Sequence, residues 1–428
     1  MSANARKACI TVVDRCLQGE DLQHALNRIL VSWRLSEADK GLVTKISYGY
    51  MRWKKRLDFI LSRTVKGKLK KLPRSLVLRL GLAVYELCYL EKVPEYATVH
   101  WYVDNVKKEV APGLSGLANA VLRGVIRKGR EVHEPDFYWH GTSERDTFLG
   151  RYYSCPKWMV SLWRESYGDE ACLSLLQKSL APPPVGVRIN RTLPEADQVY
   201  QSLAPEASHL LPSDWGLALP KSYPYLQELE EQGQISRQSY ASQLVLSQLE
   251  PSLWPGPVWD ACAGRGGKTA ALAESLPGQL WASDLSPSRL KGLRRELTRL
   301  LLPSIPVFAH DASRSTCLRR KAGTILLDAP CSGLGVLSRR PDAKWKRTPQ
   351  ETARLAKIQR QILLSCLEVL CRGGWMLYVT CTLKPEENEQ GIARFLEQAK
   401  GAVGLQRQFL TAEPGLNELF YAAVLQKK

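Results

Sequence analysis

The residues of this sequence best suited to chemistry are two cysteines, each placed just after a strand-like run, and a set of acids placed the same way. Cys331 stands in ILLDAPCSGLGVLSRRPDAKW, which starts at Ile325, and Cys381 in GGWMLYVTCT, which starts at Gly373. Ile325, Leu326 and Leu327 have the pattern of a strand buried on both faces of a parallel sheet, and the chain turns polar at Asp328. Pro330, Gly333 and Gly335 forbid a continuing helix or strand, so Asp328, Cys331 and Ser332 are presented on a loop. Taken alone, that loop is more simply a strand ending in a turn with one buried thiol. A second thiol at the end of another strand makes nucleophilic chemistry the better reading, because a thiolate can add covalently to an electron-poor carbon.

Asp260 to Thr269 (DACAGRGGKT) follows the strand-like Val258-Trp259 and opens a helix. Its glycines let backbone amides approach a cofactor at a helix N-terminus. Asp284 follows LWAS about twenty residues later, placed to accept hydrogen bonds from ribose hydroxyls. Asp311 then closes a third strand and Asp328 a fourth. A glycine loop and acids delivered by consecutive strands to one sheet edge are how S-adenosylmethionine (SAM) is held in Rossmann-like methyltransferases. A phosphate loop is the rival, since Gly267-Lys268-Thr269 with ILLD mimics one, but it needs glycine five residues before Gly267, where Cys262 stands.

Candidate strands at Val258, Leu280, Val307, Ile325 and Met376 alternate with helical patterns, which implies a parallel doubly wound sheet. Upstream, from Ala5 to about Arg130, apolar residues recur at helical spacing and no strand-like alternation competes. Residues 131–150 are polar and non-periodic and read as a linker. The expected division is a helical domain over 1–140, a small α+β domain over 141–236 and the α/β domain over 237–428.

Lys and Arg number 60 against 42 Asp and Glu, a net charge of +18, which suits a phosphate-rich partner. Residues 1–130 hold 25 of the former and 11 of the latter, so +14 of that charge sits in the first third. Arg52, Lys54, Lys55 and Arg56 form its densest run and are candidate RNA contacts, with Arg188 and Lys344 further on. Trp345 is a candidate for stacking a base, although an aromatic is more often core or lid. No apolar stretch reaches membrane-spanning length, and the eleven cysteines show no metal-binding spacing, so no metal is expected and the chain reads as cytoplasmic.

Tyr48-Gly49 with Arg52, VPEYATVHWYVD from Val93 and Asn119-Ala120-Val121-Leu122-Arg123 resemble the NusB-like RNA-binding domain found ahead of some RNA methyltransferases. Arg188-Ile189-Asn190 resembles a strand of the small domain that precedes their catalytic domain. The Pro-Cys-Ser-Gly loop and the Thr-Cys strand end resemble the RNA 5-methylcytosine methyltransferases of the NOL1/NOP2/Sun type. The resemblance implies a helical NusB-like domain, a small α+β domain and a Rossmann-like SAM-dependent methyltransferase domain. It implies Cys381 as nucleophile, Cys331 in product release and Asp328 as hydrogen-bond partner of the cytosine ring. It also implies SAM contacts by Cys262, Ala263, Gly264, Arg265, Gly266, Gly267, Lys268, Asp284, Asp311 and Asp328. The implied substrate is small-subunit ribosomal RNA, and a monomer with no membrane partner is expected.

Two positions depart from the family pattern. Gly264-Arg265 replaces Ala-Pro, bringing a cation to the cofactor loop, and the C-terminal NELFYAAVLQKK replaces Asp-Gly-Phe-Phe. A non-catalytic ribosome-assembly factor that retains the fold is the alternative, and the intact Cys331, Cys381 and Asp328 argue against it.

Overall fold

A computed structural model describes all residues except 1, 2, 212–215, 221, 277, 278, 318–320, 412 and 414. The chain forms two compact units, one of residues 1–181 with 337–346, the other of 182–336 with 347–428.

The first unit is helical: α1 (Ala3–Leu17), α2 (Leu22–Ser32), α3 (Glu37–Ser62), α4 (Arg74–Tyr89), α5 (Glu95–Glu109), α6 (Ser115–Lys128), α7 (Arg145–Tyr152) and α8 (Lys157–Leu180). Asp21 and Ser36 cap α2 and α3 by accepting from the His24 and Asp39 amides, which would otherwise lack partners at the helix starts. The core gathers the apolar stripes read from the sequence, Val13, Leu22, Ala25, Leu26 and Ile29 among them. At its centre the Arg6 guanidinium pairs with Glu86 at 2.8 Å, and Thr98 and Tyr102 complete the carboxylate's hydrogen bonds. A buried charge is tolerated only with such partners.

The stretch read as a linker, 131–150, is folded. Two short 3-10 turns precede α7, and Val132, Phe137 and Tyr138 are buried. Arg56 explains the difference, donating to the Tyr138 hydroxyl at 2.8 Å and to the Val132 and His133 carbonyls at 3.2 Å each. A side chain distant in sequence thus satisfies polar backbone that a sequence pattern leaves unassigned. In the first compact unit α7 and α8 group with the helices before them.

The second unit opens with a four-stranded antiparallel sheet of order β2-β3-β1-β4, built from β1 (Val185–Ile189), α9 (Ala196–Leu203), β2 (His209–Leu211), β3 (Gly216–Leu219), α10 (Tyr225–Glu231) and β4 (Ile235–Arg237). Then follow α11 (Tyr240–Gln248), β5 (Val258–Asp260), α12 (Gly267–Ser275), β6 (Leu280–Asp284), α13 (Pro287–Arg299), β7 (Val307–Ala309) and β8 (Ala322–Asp328). The short α14 (Ala343–Lys346) belongs to the first unit, and α15 (Pro349–Val369), β9 (Leu370–Thr380), α16 (Glu389–Gln398), β10 (Val403–Leu410) and β11 (Tyr421–Lys427) complete the second.

The larger sheet has the order β10-β11-β9-β8-β5-β6-β7, parallel from β9 to β7 and antiparallel at β11 and β10. All five strands expected from the sequence lie in it. The order reverses between β5 and β8, and ligands of open α/β sheets bind beyond the carboxyl ends of the strands at such a reversal. The divergent C-terminal tail is structural here, since β11 pairs with β9 on one side and β10 on the other. Among the described residues no helix is long and apolar enough to cross a membrane.

Candidate active site

The glycine loop leaves β5 at Asp260 and enters α12 at Gly267. Gly264 and Gly266 adopt φ of +58° and +93°, a region that favours glycine, and a Cβ on Gly266 would lie 2.9 Å from Leu293 Cγ. The Gly264 amide donates to Asp284 Oδ2 at 3.0 Å, and the Ser286 amide donates to Oδ1 at 2.8 Å. The acid after β6 is therefore oriented against the loop after β5. Arg265 is exposed and runs along α13, its Cγ 3.6 Å from the position of a Cβ on Gly292. Cys262 is half-buried against the apolar core, and burial pushes its thiol well up.

Asp260 ends β5 and ties it to α12. It is buried, accepts from the Thr269 hydroxyl at 2.6 Å through Oδ2, and has no hydrogen-bond partner for Oδ1 among the described residues. Burial pushes its carboxyl up to about 7. Asp311, after β7, lies below its usual value because the Ser313 hydroxyl and amide hydrogen-bond its Oδ1 at 2.7 and 3.0 Å.

Asp328 ends β8 and receives Lys268 Nζ at 2.8 Å, while Lys268 also lies 5.2 Å above the Phe420 ring. β8 and β9 run parallel in register, Asp328 beside Val379, so their following residues emerge together. Cys331 Sγ and Cys381 Sγ are 3.2 Å apart. The hydrogen bond to Cys381, followed by burial, raises the Cys331 thiol well above its ordinary value.

Both thiol loops are anchored by residues that sequence reasoning passed over. Glu387 is fully buried, and its Oε2 accepts from the Ser332 amide and from Gln359 Nε2, each at 2.9 Å. Gln359 also donates to the Pro330 carbonyl at 2.9 Å. Asn388 spans Cys381, accepting from the Thr380 hydroxyl at 2.7 Å and donating to the Thr382 carbonyl at 3.0 Å. The Ser332 and Thr382 hydroxyls meet at 2.6 Å. Gly335 has no room for a side chain, because a Cβ would sit 2.3 Å from the Leu419 carbonyl oxygen. The available signal was PEENE beginning at Pro385, directly after the Thr-Cys strand end.

Four of the expected RNA contacts are enclosed. Arg52, Arg56, Arg188 and Lys344 are 8%, 5%, 4% and 1% exposed. Arg52 donates to the Ser338 carbonyl at 2.7 Å, Arg188 pairs with the buried Glu274, and Lys344 donates to the Arg52 and Ser154 carbonyls at 2.8 Å each. Burial pulls the Lys344 ammonium down to about 7. These side chains hold protein to protein and are unavailable to phosphate. Lys54 is half-buried and paired with Asp58 at 2.6 Å, and Lys55 is turned to the Cys155 carbonyl at 2.8 Å. The Trp345 indole donates to the Met51 carbonyl at 2.7 Å and packs on the helical core, which replaces base stacking by packing. No metal-binding group of His, Cys, Asp and Glu occurs among the described residues.

A doubly wound sheet that carries a glycine loop and strand-end acids around its reversal is the fold of a Rossmann-like methyltransferase. Residues 249–416 match 16S rRNA methyltransferase RsmB/F, residues 3–127 the NusB family, and residues 155–224 the RsmF/B-like ferredoxin-like domain. The probable ribosomal RNA small subunit methyltransferase B of Bacillus subtilis is 31% identical over 380 residues, covering 87% of this chain and 83% of that protein. The ribosomal RNA small subunit methyltransferase B of Vibrio cholerae is 33% identical over 427 residues, covering 95% and 94%. The chain belongs to the RsmB/F family of 16S rRNA methyltransferases. The crystal structure of PH0851 shares the fold at a TM-score of 0.78 and 20% identity, over 100% of this chain and 99% of that one.

Proposed function

We propose that the chain methylates C5 of a cytosine in small-subunit ribosomal RNA through a covalent bond between Cys381 and C6. The cofactor is SAM, which supplies an electrophilic methyl group when bound. Residues 262–268, Asp284, Asp311 and Asp328 would hold it. The positive-φ glycines and the Asp284 carboxylate turned to the loop suit a polar ligand with ribose hydroxyls.

The observation that carries the cytosine reading is the pair of sulfurs 3.2 Å apart on the loops that follow Asp328 and its neighbour Val379. C5 of cytosine is too electron-poor to take a methyl unaided. When the Cys381 thiolate bonds to C6, the electron pair of the C5–C6 double bond moves to C5. Asp328 holds the proton at the ring nitrogen that accumulates charge, and Lys268 holds Asp328. Cys331, kept as a thiol, places an S–H beside Cys381 Sγ and serves the release step, in which water takes the C5 proton, the C5–H electron pair re-forms the C5–C6 double bond and Cys381 leaves C6 as a thiolate.

Bisulfite sequencing of small-subunit ribosomal RNA from a deletion strain tests the reading. One cytosine should lose its protection and regain it on complementation. Unchanged protection at every cytosine would sink C5 as the target.

A further inference from the structure

Helix α15 divides its side chains between two tasks. Facing inward, Thr352 accepts from Lys384 Nζ at 2.7 Å and Gln359 holds Pro330 and Glu387. Facing outward, Lys357 and Arg360 line a hollow of about 180 Å³, whose other walls include Lys384 and Glu386 from the segment after Cys381, and Gly391 and Arg394 from α16. Four cations from three segments of chain thus meet a single carboxylate, and that carboxylate lies 3.8 Å from Lys384 Nζ. Among the described residues no carboxylate pairs with Lys357, Arg360 or Arg394. Lys357 and Arg394 are exposed and Arg360 is half-buried. Gly391 keeps its wall bare, since a Cβ there would meet the Glu386 carbonyl oxygen at 2.9 Å.

Gathering uncompensated like charges in a concavity costs self-repulsion, and a polyanion relieves it. Lys384 follows Cys381 by three residues, and the helix that presents Lys357 and Arg360 also anchors the Cys331 loop through Gln359. We infer that this hollow binds backbone phosphates of the substrate RNA strand beside the target nucleotide, an inference that rests on the RNA-methylating reading above. Its place on the anchoring helix ties strand register to the thiols, a positioning task typical of phosphate contacts.

The test is fluorescence anisotropy of the full chain with a labelled single-stranded fragment of small-subunit ribosomal RNA, between 50 and 200 mM salt. Each phosphate contact to a single strand contributes about 0.7 to the slope of log affinity against log salt. The triple variant Lys357→Gln, Arg360→Gln, Arg394→Gln should therefore lose about 2 from that slope, bind at least tenfold more weakly at 50 mM salt, and keep wild-type SAM affinity by calorimetry. Lys357→Gln alone, should the triple variant not fold, is expected to lose about 0.7. A variant with the wild-type slope overturns the proposal, and if the wild type still methylates the same RNA at C5, the hollow alone falls. If the wild type transfers no methyl to C5 while the slope still drops, the catalytic reading fails and the phosphate site stands.

Discussion

Cys331 Sγ lies 3.2 Å from Cys381 Sγ and accepts from the Cys381 amide at 3.3 Å, across fifty residues of sequence. The contact follows from the parallel pairing of β8 with β9, which brings both strand ends to one edge, and from Glu387 and Asn388, which hold the two loops.

That pairing gives the two sulfurs separable phenotypes. Cys381→Ala should abolish methylation and any covalent link to RNA, since it removes the sulfur that bonds to C6. Cys331→Ala should form the link and release it slowly, trapping protein on RNA. A denaturing gel after incubation with RNA and SAM distinguishes them, and a covalent band for Cys381→Ala with none for Cys331→Ala would reverse the assignment.

Asp284 joins the cofactor site to its loop. Asp284→Ala removes the acceptor of the Gly264 amide together with the partner of the ribose hydroxyls, so SAM binding should weaken by about 1 to 3 kcal/mol, measured by calorimetry. Tight ATP binding by the wild type without SAM binding would instead favour a phosphate loop.

Glu387→Ala should lower stability by about 2 to 4 kcal/mol in urea unfolding, because it leaves the Ser332 amide and Gln359 Nε2 without their buried acceptor. A loss below about 0.5 kcal/mol, the range of ordinary surface substitutions, would show that the thiol loops are held otherwise.

Asp260 makes stability depend on pH. Its folded-state carboxyl titrates near 7, above the unfolded value of about 3.9, so between those limits the folded protein keeps a proton that the unfolded chain has lost. Its contribution therefore falls as pH rises through that window and levels off above it. Asp260→Asn retains an acceptor for the Thr269 hydroxyl and removes the titration. The unfolding free energy of the variant relative to wild type should rise by up to about 4 kcal/mol from pH 4 to pH 8. A difference that stays flat across that range would contradict the shift.

The sequence by itself determined the parallel strands, the glycine loop, the acids after β6, β7 and β8, and the positions of Cys331 and Cys381 just beyond strand ends. Those features are local: a short apolar run, a following glycine or proline and one polar residue specify a strand end wherever the strand is packed. Only the tertiary structure decided which charges are usable. Arg52, Arg56, Arg188 and Lys344 read as surface cations because charge counts in sequence carry no depth, yet carbonyls and carboxylates from distant segments bury each of them. Lys357, Arg360 and Arg394 stay available because, where α15 and α16 converge, the one carboxylate in the hollow, Glu386, pairs with Lys384, and among the described residues none pairs with them. Burial depends on every element packed against a residue, and no window of sequence contains them all.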